Sequence, residues 1–230
     1  AASSVNANAN QDRAVAGVIT LTVAPGADDA NVADSSQPEP IEEMIVVGSR
    51  RLVPRSVSES PVPVDIISAE QLAFLGNSAD LTDSLRTLVP SYIATPATGD
   101  ASAFVRPTSL RGMSPDQTLV LVNGKRRHRS AVVHFFAPAA GNGSHGVDVG
   151  MVPTIAIKNV QILRDGAAAQ YGSDAIAGVI NIELNDASQD GEVRASYGQF
   201  YEGESSVQVA ANWGLPLGGY GFVNMSIEAT

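Results

Sequence analysis

The stretch Val160–Ile182, reading VQILRDGAAAQYGSDAIAGVINI, constrains this chain more than any other. Two apolar runs of strand composition, Val160–Leu163 and Val179–Ile182, enclose a segment dense in glycine and alanine. Asp165-Gly166 is a turn signal, and Gly172 and Gly178 punctuate the rest of the segment. Ala167, Ala168, Ala169, Ala175 and Ala177 put little side chain between elements, so backbones can approach closely. A small domain built on such a segment must fit inside or against something else. The plainest structure with these features is a βαβ-like crossover in an ordinary soluble domain.

Composition narrows the choice. With 21 glycines, 13 prolines and only 5% aromatic residues, much of the chain is turns and small-residue packing rather than one large core. A net charge of −10 argues against a general nucleic-acid binder. The absence of cysteine excludes disulfides and thiolate metal sites. No apolar run is long enough for a transmembrane helix, which leaves transmembrane strands open, since their alternation is a far weaker signal. The start, Ala1-Ala2-Ser3, lacks a methionine and a leader pattern, so a leader has been removed or the sequence is a fragment.

Residues 1–40 are rich in Ala, Asn, Asp, Ser and Pro and read as a flexible arm, with a weak alternation at Val18–Val23 fit for one short strand. In residues 41–50 the apolar run that includes Met44, Ile45, Val46 and Val47 is edged by Glu42 and Glu43 and followed by Gly48. Such a run is either an edge strand of the next domain or a peptide offered to a partner by β-augmentation. Prolines 54, 61 and 63 then keep the chain extended, and Val62–Ile67 reads as a strand. Ser68 and Gln71 have capping-box spacing and open a short helix that Gly76 can close. Asp80 caps a second helix with Leu81, Leu85 and Leu88 on one face, stopped by Pro90. Phe104–Leu110 is a broken strand, pinned by Pro107 and ended by Arg111-Gly112. Thr118–Val122 is a strand, and Asn123-Gly124 after it is the strongest hairpin signal in the chain.

Candidate chemistry is sparse. Lys125-Arg126-Arg127-His128-Arg129 is the one dense basic run, suited to an anion or to the solvated charge that hairpins carry routinely. His128, His134 and His145 lack ligand spacing and a nearby carboxylate pair, so no metal site is expected. There is no nucleophile elbow, Walker A motif or dinucleotide fingerprint, and Gly172–Gly178 does not have the G-x-G-x-x-G spacing. No enzyme and no cofactor is expected. The enzyme alternative, a phosphate loop at 166–178, requires a helix that starts directly after the strand with converging N–H groups.

Beyond the polar linker Asp186–Asp190 the texture changes. Val152-Pro153 begins a helical turn that leads into the strand run at Val160, whereas residues 190–230 alternate with period two. Val193, Ala195 and Tyr197 form one apolar row, Val207, Val209, Ala211 and Trp213 a second, and Val223, Met225 and Ile227 a third. Three successive strands of this kind fit an outer-membrane barrel with aromatic residues near the interfaces, and equally an antiparallel meander.

Together these residues resemble the TonB-dependent outer-membrane receptors. Ile162-Leu163-Arg164-Asp165-Gly166-Ala167, then Gln170-Tyr171-Gly172, then Ala175–Ile182 are similar to the end of that family's plug domain. Ser109-Leu110-Arg111-Gly112 and Leu119–Gly124 match two earlier plug motifs in order, and Ser60–Ile67 matches the plug start. Glu43, Met44, Ile45, Val46 and Val47 resemble the TonB box. The resemblance implies an α+β plug domain, a small mixed sheet with short helices, followed by the first antiparallel strands of a transmembrane β-barrel. It implies an arm at 1–40, a box at 41–50, a plug at 51–186 and barrel strands at 190–230.

It further implies a receptor in the Gram-negative outer membrane, with arm and box in the periplasm. The box would bind the periplasmic domain of TonB, and an external small molecule or iron chelate would be admitted. Outer-membrane lipid is the third partner, and nucleic acid is not one. Arg111 and Arg164 would be plug arginines whose buried charges need partners. Loops at Ala94–Ser102 and Arg126–Gly146 would face the ligand, and Gln199–Glu204 and Leu215–Gly219 would be the outer and periplasmic strand turns. One departure stands out: Lys158-Asn159-Val160-Gln161 replaces the acid-bearing lead into the last plug strands, so the ionic network there must differ. Three strands cannot close a barrel, so the resemblance makes the sequence a part of a longer chain. The alternative is a soluble binding or adhesion module in which 191–230 closes a sandwich.

Overall fold

The computed structural model describes residues 4–5, 16–23, 63–74, 80–94, 105–135, 141–199 and 205–229. Its centre is a five-stranded mixed sheet in the order β3-β8-β9-β6-β7. These are β3 (Val64–Ser68), β6 (Thr118–Val122), β7 (Lys125–Arg126), β8 (Ile157–Leu163) and β9 (Gly178–Leu184). β1 (Ser4–Val5), β2 (Ala16–Val23), β4 (Tyr92–Ile93) and β5 (Ser109–Leu110) lie outside it. β8 and β9 are buried over most of their length because both of their faces are covered, although Asn159, Gln161 and Asn181 interrupt their apolar residues. On one face Val160, Ile162, Ile180 and Ile182 pack with Leu72 of α1 (Ala69–Phe74) and Leu81 and Leu85 of α2 (Leu81–Leu88). On the other, Val64, Leu119, Leu163 and Val179 pack with Ala167 and Ala175.

Local signals are realised as the sequence indicates. The Ser68 amide donates to Gln71 Oε1 at 3.0 Å, and the Gln71 amide donates to Ser68 Oγ at 3.3 Å, completing the capping box. Asp80 accepts from the Thr82 amide at 2.8 Å as the cap of α2. Asn123 and Gly124 have φ of 49° and 72°, as a two-residue hairpin turn requires, and Leu121 and Val122 pair with Arg126 and Lys125. Gly76 lies outside the described residues.

The crossover reading of Val160–Ile182 is corrected. β8 and β9 are direct antiparallel neighbours, with Leu163 opposite Val179 and Ile162 opposite Ile180. The parallel partner of β9 is β6, which arrives from much earlier in the chain. The intervening residues fold back over one sheet face instead of carrying the chain across it, with one four-residue helix, α3 (Ala168–Tyr171). Close approach holds at Ala167, Ala175 and Ala177, which are buried, but Ala168 and Ala169 are exposed. Gly178 is the tightest point: its φ is 144° and a Cβ there would sit 2.4 Å from the Leu163 carbonyl oxygen.

A second sheet has the order β1-β2-β10-β11-β12, with β10 (Gly191–Gln199), β11 (Ser205–Pro216) and β12 (Phe222–Ala229) in antiparallel succession. Its outer surface carries the apolar rows, with Val207 56% and Ile227 69% exposed. Ala210 and Asn212 on the opposite face are buried. Trp213 lies over Gly191, its cross-strand partner, where any Cβ would meet the indole ring. The alternation at Val18–Val23 is realised in β2, which pairs along β10.

Candidate functional site: the plug and its contact with the wall

Glu43, Met44, Ile45, Val46 and Val47, expected as the box, lie outside the described residues, as do residues 95–104 and 136–140 of the expected ligand loops and residues 200–204 of the expected outer turn. Arg111 follows β5 with φ of 57°, and Gly112 completes the turn at 68°. This turn carries the guanidinium to the return end of the fold-back segment. Nε donates to the Ala177 carbonyl at 3.1 Å, Nη2 donates to the Ile176 carbonyl at 3.0 Å, and Nη1 is 4.0 Å from Asp165 Oδ1. Arg164, at the outgoing end, has Nε 2.8 Å from Asp65 Oδ2 on β3. The burial expected of these two charges is corrected, since their side chains are 39% and 47% exposed. Each is paired within the plug and solvated on its remaining side.

The departure at Lys158–Gln161 lies inside β8, and its amides take the place of the acids that the resemblance implied. Asn159 Nδ2 and Gln161 Nε2 donate to the two oxygens of Glu183 at 2.8 and 2.9 Å. Amides on β8 therefore satisfy a carboxylate on β9, and Arg164 is left to β3. Lys158 pairs instead with Asp186 at 3.2 Å.

Sequence reading missed a third arginine contact. Arg126, from the basic run, bonds both the Asp174 carboxylate and the Tyr171 carbonyl, so the fold-back segment is held near its middle as well as at its ends. The signal was a cation two residues after the hairpin glycine, but its partner lies 48 residues away and is invisible to spacing. Arg129 lies 3.8 Å from Asp116, and the His145 amide donates to Asp116 Oδ1 at 2.8 Å. An open cavity of about 230 Å³ runs beneath Arg126, His128, Arg129 and His145, with Asp116 and Asp174 also lining it. Among the described residues no three metal-binding side chains converge.

The phosphate-loop alternative is contradicted by where the N–H groups go. The Gly166 amide is taken by Asp165 Oδ1 and the Ala167 amide by the Ala175 carbonyl, and the helix after them is a single turn. Tyr92 is buried beside Thr108, its hydroxyl 3.4 Å from Thr108 Oγ1, and burial pushes the phenol up to about 12.

The wall meets the plug through polar groups. The Thr154 amide and hydroxyl donate to Glu228 Oε2 at 2.8 and 3.1 Å, and Gln208 Nε2 donates to Oε1 at 3.1 Å. Asn185 bonds Asn212 at 3.2 Å, and Asn224 donates to the Ala187 carbonyl at 3.1 Å. The inner face of the wall is thus committed to the plug by hydrogen bonds.

A small α+β domain seated by polar contacts against outward-apolar strands is the arrangement of a plug with its barrel wall. The profile of the TonB-dependent Receptor Plug Domain matches residues 56–179, and the chain belongs to that family. It is 31% identical over 128 residues to the ferric enterobactin receptor of Pseudomonas aeruginosa, across 55% of this chain and 17% of that protein. It is 30% identical over 197 residues to the vitamin B12 transporter BtuB of Vibrio cholerae, across 85% of this chain and 28% of that protein. A crystal structure of the Pseudomonas aeruginosa ferric enterobactin receptor matches 68% of this chain and 25% of its own at 25% identity, with a TM-score of 0.45. The chain therefore spans from 17% to 28% of the length of these relatives. By name they are a receptor and a transporter.

Proposed function

We propose that this chain is the plug and first wall strands of an outer-membrane receptor that takes up a scarce nutrient, an iron–siderophore complex or a vitamin, with energy delivered through TonB. The observation that carries this reading is the inverted wall. Val207, Val209, Met225 and Ile227 are exposed outward, while Gln208, Asn212, Asn224 and Glu228 bond inward. A strand in lipid needs an apolar outer face, and a soluble sandwich needs the same residues buried. The binding-module alternative therefore loses its support.

On this reading residues 51–186 are the plug, 190–230 enter the outer membrane, and 1–50 reach into the periplasm. Glu43, Met44, Ile45, Val46 and Val47 add as a strand to the periplasmic domain of TonB, and Arg111 and Arg164 brace the fold-back segment against the load. A peptide spanning residues 38–52 is expected to bind that domain, measured by calorimetry. No heat of binding beside a working control peptide removes the role of the box. For the whole receptor, deleting the gene is expected to abolish growth on one ferric siderophore or on vitamin B12 as sole source. Unchanged growth on every such source overturns the uptake function.

A further inference from the structure

The wall sheet continues past β10, and the strand that lies there comes from the N-terminal arm. β2 pairs antiparallel with β10 over eight residues, from Ala16 opposite Gly198 to Val23 opposite Gly191. The two alternations are in phase from Ile19 to Val23, and Val18, opposite Ser196, is the exception. Ile19 is opposite Ala195 and Leu21 opposite Val193, whereas Thr20 is opposite Arg194 and Thr22 opposite Glu192. The register places Ile19 and Leu21 opposite positions of the apolar row of β10, whose Val193 and Tyr197 are exposed on the outer surface. A slip of one residue would reverse every one of these matches. β1 extends the arrangement, with Ser4 opposite Thr20 and Val5 opposite Ile19.

A strand in lipid cannot leave its edge groups unpaired, and the edge of β10 away from β11 is the seam at which a barrel has to close. We infer that residues 16–23 are a seam guard. They cover the open edge of the first wall strand, in matched register, until the closing strand of the barrel takes the same edge. A strand edge accepts one partner, so the two occupants exclude each other. The partner the edge recognises is an amphipathic antiparallel strand, supplied first from within the chain. This inference rests on the barrel reading.

The chain has no cysteine, so an introduced pair is the only one present. Thr20→Cys with Arg194→Cys joins two directly opposed positions, and Val18→Cys with Ser196→Cys is a second such pair should loss of Arg194 disturb folding. With the 230-residue chain in neutral detergent under a mild oxidant, each matched pair is expected to form an intramolecular disulfide. The matched yield should exceed that of the offset pair Thr20→Cys with Ser196→Cys by about fivefold or more, because register is fixed where one face is apolar. Adding Ile19→Asp should lower the matched yield several-fold. Equal yields from matched and offset pairs, no disulfide from any, or indifference to Ile19→Asp overturns the guard.

With the chain joined to the strands that complete a barrel, the matched disulfide is expected in the unassembled receptor and lost after insertion into the outer membrane. Persistence after insertion makes 16–23 a permanent wall strand and overturns displacement. A chain that enters lipid vesicles yet shows no register-specific disulfide refutes the guard alone. A chain that stays outside vesicles refutes the barrel reading itself.

Discussion

The two sheets solve opposite problems with the same residue types. In the plug sheet Ile180 and Ile182 are fully buried, packed between helices and neighbouring strands. In the wall Val207 and Ile227 are more than half exposed, and the buried positions belong to Ala210 and Asn212. Burial of apolar surface holds the first together, whereas the second has its polar side satisfied by the plug and leaves its apolar side exposed. Apolar content alone therefore does not tell a core from a wall. What tells them apart is which side of each strand the hydrogen bonds are on.

The sharpest way to break that contrast is a matched pair of truncations. Ile180→Ala is expected to destabilise the plug by about 2–5 kcal/mol in denaturant unfolding, as a deletion in a closed core does. Ile227→Ala in detergent should leave the same transition within about 0.5 kcal/mol, as an exposed position does. Comparable losses at both would mean that the wall's outer face is covered by protein. Ile227→Lys is expected to weaken insertion into lipid vesicles by about 2–4 kcal/mol if the residue reaches mid-depth, and less nearer the interface. Flotation with vesicles measures it.

The junction between the sheets gives a smaller effect. Glu228→Ala removes the acceptor of the Thr154 amide and hydroxyl, and about 1–3 kcal/mol of plug–wall attachment should go with it. Faster hydrogen exchange at the Thr154 amide is the readout, with the wall strands themselves unchanged. Tyr92 sharpens the plug side through pH. Its phenol is raised from 10.0 to about 12 by burial, so the folded state holds the proton more tightly than the unfolded chain. The stability this contributes is fully present below pH 10, and is lost as pH rises toward 12. Tyr92→Phe should flatten that alkaline slope in a pH series of thermal melts. Arg126→Ala is the mildest change, under about 1 kcal/mol because the pair with Asp174 is half solvated, yet exchange at residues 171–175 should rise.

What was legible in the sequence was local. The capping box, the Asn123-Gly124 turn and the three alternating strands each depend on residues within a dozen positions of one another. The order of the plug sheet was not legible, because β8 and β9 carry strand composition that suits a parallel or an antiparallel neighbour equally. Arg111 and Arg164 could be singled out, but not their exposure or their contacts with the Ile176 and Ala177 carbonyls and with Asp65. The hold of Arg126 on Asp174 and Tyr171, the contact of Glu228 with Thr154 and the pairing of β2 with β10 all join residues far apart in the chain. No periodicity encodes such meetings.

The strand order also sets a timetable. β3, β6 and β7 are synthesised well before β8 and β9, which lie between them in the sheet. Ser68 must wait for Asn159, and Thr118 for Gly178, before either finds its partner. Until then Ile67, Leu119 and Leu121 have no sheet to enter, and closing such long loops makes the step slow and prone to aggregation. Once β9 is complete at Leu184, β10 begins at Gly191. The plug therefore becomes able to fold at almost the same point in chain growth at which the wall begins.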